Sequence, residues 1–222
     1  MEYRVEYKYI HMKVLSIQIG QPKIIQHNDR EVQTSFFKES ISEAVEVGKL
    51  GIAGDTQSDL KVHGGPFKAV YAYPSEHFDY WRKLTPQHTF ENGVFGENLT
   101  TTGLLETEVS IGDIYQIGSV TLRVSQPRFP CFKLGIKFGD PEMIKHFHES
   151  LKSGIYFEVL EEGSFQAGDE IRTLSKSGGT SIQDFVIAKN SKGGEQELIR
   201  QLLNDPNLID QWKEYFEGYL QK

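Results

Sequence analysis

The residue with the clearest capacity for chemistry is Cys131, the single cysteine of the 222-residue chain. It follows Pro127 and Pro130, each of which fixes φ at about -65° and so stiffens the segment that carries the thiol. We expect Cys131 to open a helical turn, where the helix N-terminus and nearby Arg128 or Lys133 would favour the thiolate. A thiolate is reactive, and it is also a soft ligand for a redox-active metal. Residue type alone favours a different interpretation, a buried cysteine that acts as a small, inert hydrophobe.

A second group of candidate residues lies in residues 51–70. Gly64 and Gly65 would let the backbone approach a ligand and aim N–H groups at an anion. Asp55 could orient His63 through a hydrogen bond, as residues behind a functional histidine often do. A tight Gly-Gly-Pro turn before a strand, with His63 at the surface, explains the same residues without any ligand.

The third candidate segment, residues 93–99, offers Asn98, whose side chain could satisfy either a ligand or the backbone of a loop. Other patterns are excluded. The chain has no HExxH, paired CxxC, Walker or GxGxxG motif. His146 and His148 are two residues apart on a predicted helix, so they face different directions and do not pair on one metal.

The elements that must position these residues are mostly strands between residues 13 and 176. Apolar runs and glycine turns predict strands at 14–19, 69–73, 113–117, 120–125, 155–160 and 170–174. The hairpin signal Gly118-Ser119 separates two of them. Helices are predicted at 74–84 and 141–151. Many short strands with glycine-rich turns favour a barrel or a sandwich.

The periodicity changes after the Ser177-Gly178-Gly179 sequence. Ser181 is a predicted N-cap, and three helices follow it. We therefore predict a main domain at 13–176, a three-helix tail at 180–222 joined by a linker at 175–180, and an N-terminal extension at 1–12. The aromatic stripe from Trp212 to Tyr219 is explained by packing, and equally by a dimer face.

Composition and charge limit the classes of function. The net charge of -7 argues against non-specific binding to a nucleic acid. No apolar run reaches the roughly 20 residues that span a bilayer, and the first residues lack the apolar core of a secretion signal. A single cysteine is typical of a reducing compartment. These observations predict a cytoplasmic protein without a membrane partner.

Taken together and in order, these segments resemble the MOSC family, which is named for the C-terminus of molybdenum cofactor sulfurases. The matching segments are 51–55, 62–66, 96–99, 126–134, 159–163 and 168–169. Pro127-Arg128-x-Pro130-Cys131 preceded by His63-Gly64-Gly65 is specific as a combination, although each part alone is weak. The resemblance covers residues 13–174, and the helical tail resembles the stand-alone bacterial YiiM-like branch of the family.

The resemblance implies a fold that is mainly β with α, a closed and strongly twisted β-barrel with peripheral helices. It implies that Cys131 binds molybdenum through sulfur or carries a transferable sulfur. The following residues are then expected near a molybdenum cofactor, a molybdenum-pterin: Asp55, His63, Gly64, Gly65 and Asn98. On charge grounds we add Lys68 and Arg128 as partners for the cofactor's phosphate.

Three hypotheses for function stay open. The first is an enzyme that reduces N-hydroxylated compounds, such as hydroxylamino base analogues, to amines. Its electrons would come from a partner reductase, because the chain has no flavin or nicotinamide signature and too few cysteines for an iron–sulfur cluster. The alternative is a carrier or relay of sulfur or cofactor without turnover. The third is a metal-free cysteine enzyme using Cys131, His63 and Asp55. A homodimer is expected because two-fold dimers are the commonest oligomers.

One departure from the family pattern concerns the substrate. Glu158 stands where related sequences often have an arginine, so the sign of that charge is reversed. Residues 1–11 also have no recognisable counterpart in the family.

Overall fold

An eight-stranded sheet organises the chain in the computed structural model, which describes residues 11–27, 30–56 and 64–220. Its strands are β1 (Lys13–Gly20), β4 (Lys38–Ile41), β7 (Val70–Pro74), β8 (Leu99–Thr102), β9 (Ile114–Ile117), β10 (Val120–Pro127), β11 (Ile155–Glu161) and β13 (Ile171–Ser175). Their spatial order is β13-β9-β10-β11-β7-β8-β1-β4, and only the β7–β8 pair among them is parallel.

The remaining described strands form two small sheets. In one, β2 (Lys23–His27) pairs with β3 (Arg30–Thr34) as a hairpin. In the other, β5 (Val45–Gly48) lies between β6 (Gly51–Ile52) and β12 (Gly163–Phe165). In the chain, the hairpin lies between β1 and β4, which pair with each other at one edge of the large sheet.

The prediction of a closed barrel is wrong. Across the described part of the chain, the edge strands β4 and β13 do not pair with each other, and Lys13 meets Glu170 only in an isolated bridge. Closure needs a continuous ladder between the first and last strands. Here β1 pairs with β8 through residues 13–17 and with β4 through residues 17–20. Besides that bridge, three backbone hydrogen bonds join residues 12 and 14 to residues 168, 169 and 171, too few for a continuous ladder, so the sheet does not close.

Six α-helices are seen in the described residues: α1 (Phe78–Leu84), α2 (Phe132–Phe138), α3 (Glu142–Ser150), α4 (Ile182–Asn190), α5 (Gln196–Asn204) and α6 (Asp210–Leu220). The helix predicted from residue 74 begins later, because Pro74 ends β7 and a single 3-10 turn precedes α1. The predicted cap of α4 is confirmed, since Ser181 Oγ accepts a hydrogen bond from Asp184 N at 3.0 Å. None of these helices has the length and apolar character needed to cross a membrane.

The C-terminal helices share their apolar core with the large sheet. Phe185, Leu202 and Phe216 are fully buried in the same cluster as the inner faces of the strands. Trp212 packs edge-on against Phe185, and its Nε1 donates to Gln126 Oε1 on β10 at 2.8 Å. The packing interpretation of the aromatic stripe is therefore confirmed. This contact also fixes the strand that leads to Cys131.

A second, aromatic cluster lies between β7, α1 and α3. Trp81 Nε1 donates to Tyr73 Oη at 2.6 Å, and both rings contact Phe95. Phe147 stacks on Trp81 from α3. Because these large side chains are almost fully buried, they form a rigid floor beneath the candidate site.

Candidate functional site

Several predicted site residues converge on one cavity, which encloses about 640 Å³ including its mouth. Asp55, Lys68, Asn98, Arg128 and Cys131 all line it. They come from segments far apart in the chain, and the curled sheet brings them together. The functional role of each residue stays a prediction, but their proximity is a property of the fold.

The glycine pair has a structural explanation at this wall. Gly65 has a φ of 94°, a value that favours glycine, and its carbonyl accepts a hydrogen bond from Lys68 N at 3.0 Å. The resulting turn, Pro66–Lys68, presents Lys68 to the cavity. Gly64 and Gly65 are not among the described lining residues, and His63 lies outside the described part of the chain.

Cys131 is half-buried at the N-cap position of α2, so the predicted helical turn is confirmed. Its carbonyl accepts from Leu134 N at 3.0 Å, and its backbone is extended. The next two side chains diverge: Phe132 is exposed, whereas Lys133 is buried and lines the cavity beside Cys131. The described residues contain no cluster of three His, Cys, Asp or Glu side chains that could hold a metal.

Arg128 is the most distinctive side chain of the cavity. It is only 4% exposed, and its guanidinium lies 4.9 Å from the ring centre of Phe147, 5.3 Å from Phe36 and 5.6 Å from Tyr71. Its Nη1 is buried without a hydrogen-bond partner in the described structure. Buried donors left unsatisfied cost about 1–3 kcal/mol, more for charged groups, so they are rare unless a ligand satisfies them. The geometry therefore points to an acceptor, preferably anionic, at this nitrogen.

The opposite wall is a network around Asp55. Its Oδ1 accepts from Gly20 N at 2.6 Å and from Lys38 Nζ at 2.7 Å. Its Oδ2 accepts from Lys38 Nζ at 2.6 Å and from Asn98 Nδ2 at 2.8 Å. Asn98 also accepts from Tyr71 N through its Oδ1, at 3.1 Å. Burial lowers the pKa of Lys38, although Asp55 opposes the shift.

The cavity carries a positive charge within an acidic chain. Its described lining contains four cationic side chains, Lys38, Lys68, Arg128 and Lys133, and one carboxylate, Asp55. The chain as a whole has a net charge of -7. A cationic cavity in such a protein selects anionic ligands and raises their local concentration.

Sequence reasoning missed Phe36, Lys38 and Tyr71 as parts of this cavity. Tyr156 lies in the segment that departs from the family pattern, and it lines the cavity while burial raises its pKa. Glu158 is not among the described lining residues; its Oε2 accepts from Arg123 Nε on β10 at 3.0 Å. The carboxylate of Glu158 therefore forms a cross-strand ion pair with Arg123.

Comparisons with known proteins agree with this fold and site. A family model described as MOSC domain matches residues 59–172. The chain is 36% identical to YflK of Bacillus subtilis (strain 168) over 204 residues, 91% of this chain and 92% of YflK. It is 35% identical to a protein named Reductase from Gibberella moniliformis (strain M3125 / FGSC 7600), across 72% of this chain and 30% of that protein. The crystal structure of YiiM from Geobacillus stearothermophilus is similar with a TM-score of 0.79 and 35% identity, covering 94% of this chain and 99% of YiiM.

The fold and the site therefore define a protein with a MOSC-type sheet and a cationic, cysteine-containing cavity. The chain belongs to the MOSC family. The resemblance to the stand-alone bacterial branch is confirmed by the YflK and YiiM matches, which extend over nearly the whole of both relatives.

Proposed function

We propose that this chain binds the molybdenum cofactor through Cys131 and reduces N-hydroxylated compounds to amines. One observation carries the proposal: the buried, unpartnered Nη1 of Arg128 shares a cavity with the thiol of Cys131. Family membership supports the cofactor, because MOSC domains are associated with it. The relative named Reductase supports redox chemistry, and its name belongs to a protein of which this chain matches 30%.

The donor set fits a molybdenum-pterin. Cys131 would bind the metal through sulfur, a soft donor suited to redox-active metals. Arg128, Lys68 and Lys133 would bind the phosphate, for which the planar guanidinium of arginine is well suited. When bound, the cofactor would supply a centre that passes two electrons to the substrate.

The reaction needs two electrons and two protons for each N-hydroxyl group, and it yields an amine and water. We assign the electrons to a separate reductase partner, because the sequence has no flavin or nicotinamide motif. The chain's own side chains would orient the substrate and exclude bulk water. Phe36, Tyr71 and Tyr156 provide the apolar part of the wall that performs this exclusion.

The first experiment measures molybdenum and pterin in wild type and in Cys131→Ala, both expressed in a host that makes the cofactor. We expect near-stoichiometric molybdenum in wild type and its loss in the variant. Arg128→Met is a second variant, which should weaken cofactor retention while leaving the thiol in place. Absence of molybdenum from wild type would refute the cofactor assignment.

The second experiment tests turnover with loaded wild type, a reduced artificial electron donor and several N-hydroxylated substrates. Formation of the amine supports the proposal, and a fully loaded protein that is inert on all of them refutes it. Cyanide-labile sulfur on Cys131 without turnover would favour the alternative, a carrier or relay of sulfur or cofactor. The same loaded preparation therefore distinguishes a reductase from a carrier or relay.

A further inference from the structure

Lys38 lies at the cavity wall with its side chain only 9% exposed, and the proposed function does not yet use it. It is the first residue of β4 and pairs with Gly20 on β1. A Cβ at Gly20 would lie 2.1 Å from Ser35 O, in the segment before β4, and 3.2 Å from Lys38 Cγ, so there is no room for a side chain at Gly20. The stem of Lys38 is therefore held against β1, and its ammonium is carried to the cavity.

The ammonium group is held by one carboxylate. Two contacts, at 2.6 Å and 2.7 Å, join Lys38 Nζ to the two oxygens of Asp55, and both side chains are less than a tenth exposed. An ammonium has three N–H donors. The third has no partner among the described residues, and Lys38 is part of the cavity lining. Asn98 and Gly20 donate to the same carboxylate, which fixes its orientation.

We propose that Lys38 is the general acid of this site, donating a proton to the hydroxyl oxygen that leaves the substrate nitrogen. The inference rests on the proposed function. As the N–O bond breaks, its electron pair leaves with oxygen, which takes the Lys38 proton and departs as water. The reductase partner supplies the two electrons, and solvent at the mouth supplies the second proton to nitrogen and restores that of Lys38.

The chemistry of the neighbouring groups favours Lys38 for this role. A guanidinium is suited to stabilising charge rather than to donating a proton, so we assign Arg128 the first role. Asp55 accepts hydrogen bonds on both oxygens, so it holds the ammonium and does not compete as a donor. Burial lowers the pKa of Lys38, which favours proton donation. Two further charged groups act on Lys38. Glu97 attracts its ammonium, and Lys137 repels it.

The test uses two substrates that differ only in the leaving group. An N-hydroxy compound must lose hydroxide or water, whereas its O-acetyl derivative loses acetate, which needs no protonation. For Lys38→Met and Lys38→Arg we expect kcat on the N-hydroxy substrate to fall by about 10²- to 10⁴-fold, the usual contribution of a general acid. On the O-acetyl substrate the fall should be less than about tenfold. Lys213→Met, at a partly exposed lysine on α6 outside the cavity lining, is the control and should match wild type on both substrates.

Lys38→Arg keeps a cation beside Asp55, so the test survives if Lys38→Met does not fold. The molybdenum content of both variants, and the thermal midpoint of Lys38→Arg, should stay near those of wild type. Equal losses on the two substrates, or loss of molybdenum from Lys38→Arg, would overturn the inference in favour of a structural role. An alkaline fall in wild-type kcat with the N-hydroxy substrate alone would support it. Loaded wild type inert on both substrates would refute the proposed function instead.

Discussion

Asn98→Asp replaces one buried amide nitrogen by an oxygen and leaves the shape of the side chain unchanged. In the wild type, Asn98 Nδ2 donates to Asp55 Oδ2 at 2.8 Å and to Gln18 O at 3.3 Å. Asn98 Oδ1 accepts from Tyr71 N, and this bond survives the substitution. Asn98 is 4% exposed, so water cannot replace the lost donors. The introduced oxygen would instead face two hydrogen-bond acceptors, Asp55 Oδ2 and Gln18 O.

The expected loss of stability follows from these contacts. A hydrogen bond to a charged acceptor contributes about 1.5–3 kcal/mol, and one to a neutral carbonyl about 0.5–1.5 kcal/mol. Loss of both predicts a decrease of about 2–4.5 kcal/mol in the free energy of unfolding. Repulsion from Asp55 adds to this loss, and attraction to Lys38 offsets part of it. A folded variant is still expected, since domains are commonly stable by about 5–15 kcal/mol.

The pH dependence distinguishes charge from packing. Beside Asp55, the introduced carboxyl has a pKa raised above its value in the unfolded chain. A raised pKa in the folded state stabilises at low pH, and this contribution disappears as the pH rises through the folded value. Urea unfolding should therefore show a larger deficit at about pH 8 than at about pH 5. Asn98→Leu, which removes the same donors without a charge, should show a deficit that hardly changes with pH. A pH-independent deficit in Asn98→Asp, or none, would refute the reasoning.

Two further predictions concern Lys137 and Gly96, of which Gly96 lines the cavity. Burial lowers the pKa of Lys137 from 10.5 to about 8. Wild type should therefore gain stability relative to Lys137→Met as the pH rises from about 7 to about 10. Urea unfolding at several pH values measures this difference in stability, and a difference that stays constant would contradict the prediction. Gly96→Ala should cost more than Gly139→Ala, because both glycines have positive φ but only at Gly96 would a Cβ lie 2.8 Å from the ring of Phe36. Strain alone predicts about 1–3 kcal/mol for each, so equal shifts in thermal stability would argue against the ring contact.

Local signals in the sequence were sufficient for many elements. Gly118 and Ser119 separate β9 from β10, as the hairpin signal predicts, since that turn is specified by adjacent residues. Ser181 caps α4 and Cys131 opens α2 for the same reason. The fold brings Asp55, Asn98 and Cys131 to one cavity, and their expected place around a cofactor stays a prediction.

Features that depend on contacts between distant residues could not be predicted from local sequence signals. Nothing in the sequence around Lys38 distinguishes a buried lysine from an exposed one, because its burial depends on Asp55 and on the close approach of Gly20. Barrel closure failed as a prediction because it depends on a continuous ladder between strands that are distant in the chain. The strands at 155–160 and 170–174 were both predicted, but local signals do not specify their partners. In the structure β11 pairs with β10 and β7, and β13 pairs with β9.

Arg128 connects the stability of the fold to the chemistry of the site. Three elements meet at its guanidinium: Phe36 after the hairpin, Tyr71 on β7 and Phe147 on α3. Cation–π contacts of this kind contribute about 0.5–2 kcal/mol each, whereas burying an unpaired charge costs several kcal/mol. An anion at Nη1 removes much of that cost, so its binding stabilises the arrangement of all three elements. Cys131 follows Arg128 by three residues on the stiff Pro127–Pro130 segment. Under the proposed function, an anion at the guanidinium would therefore also help to fix the position of the thiol.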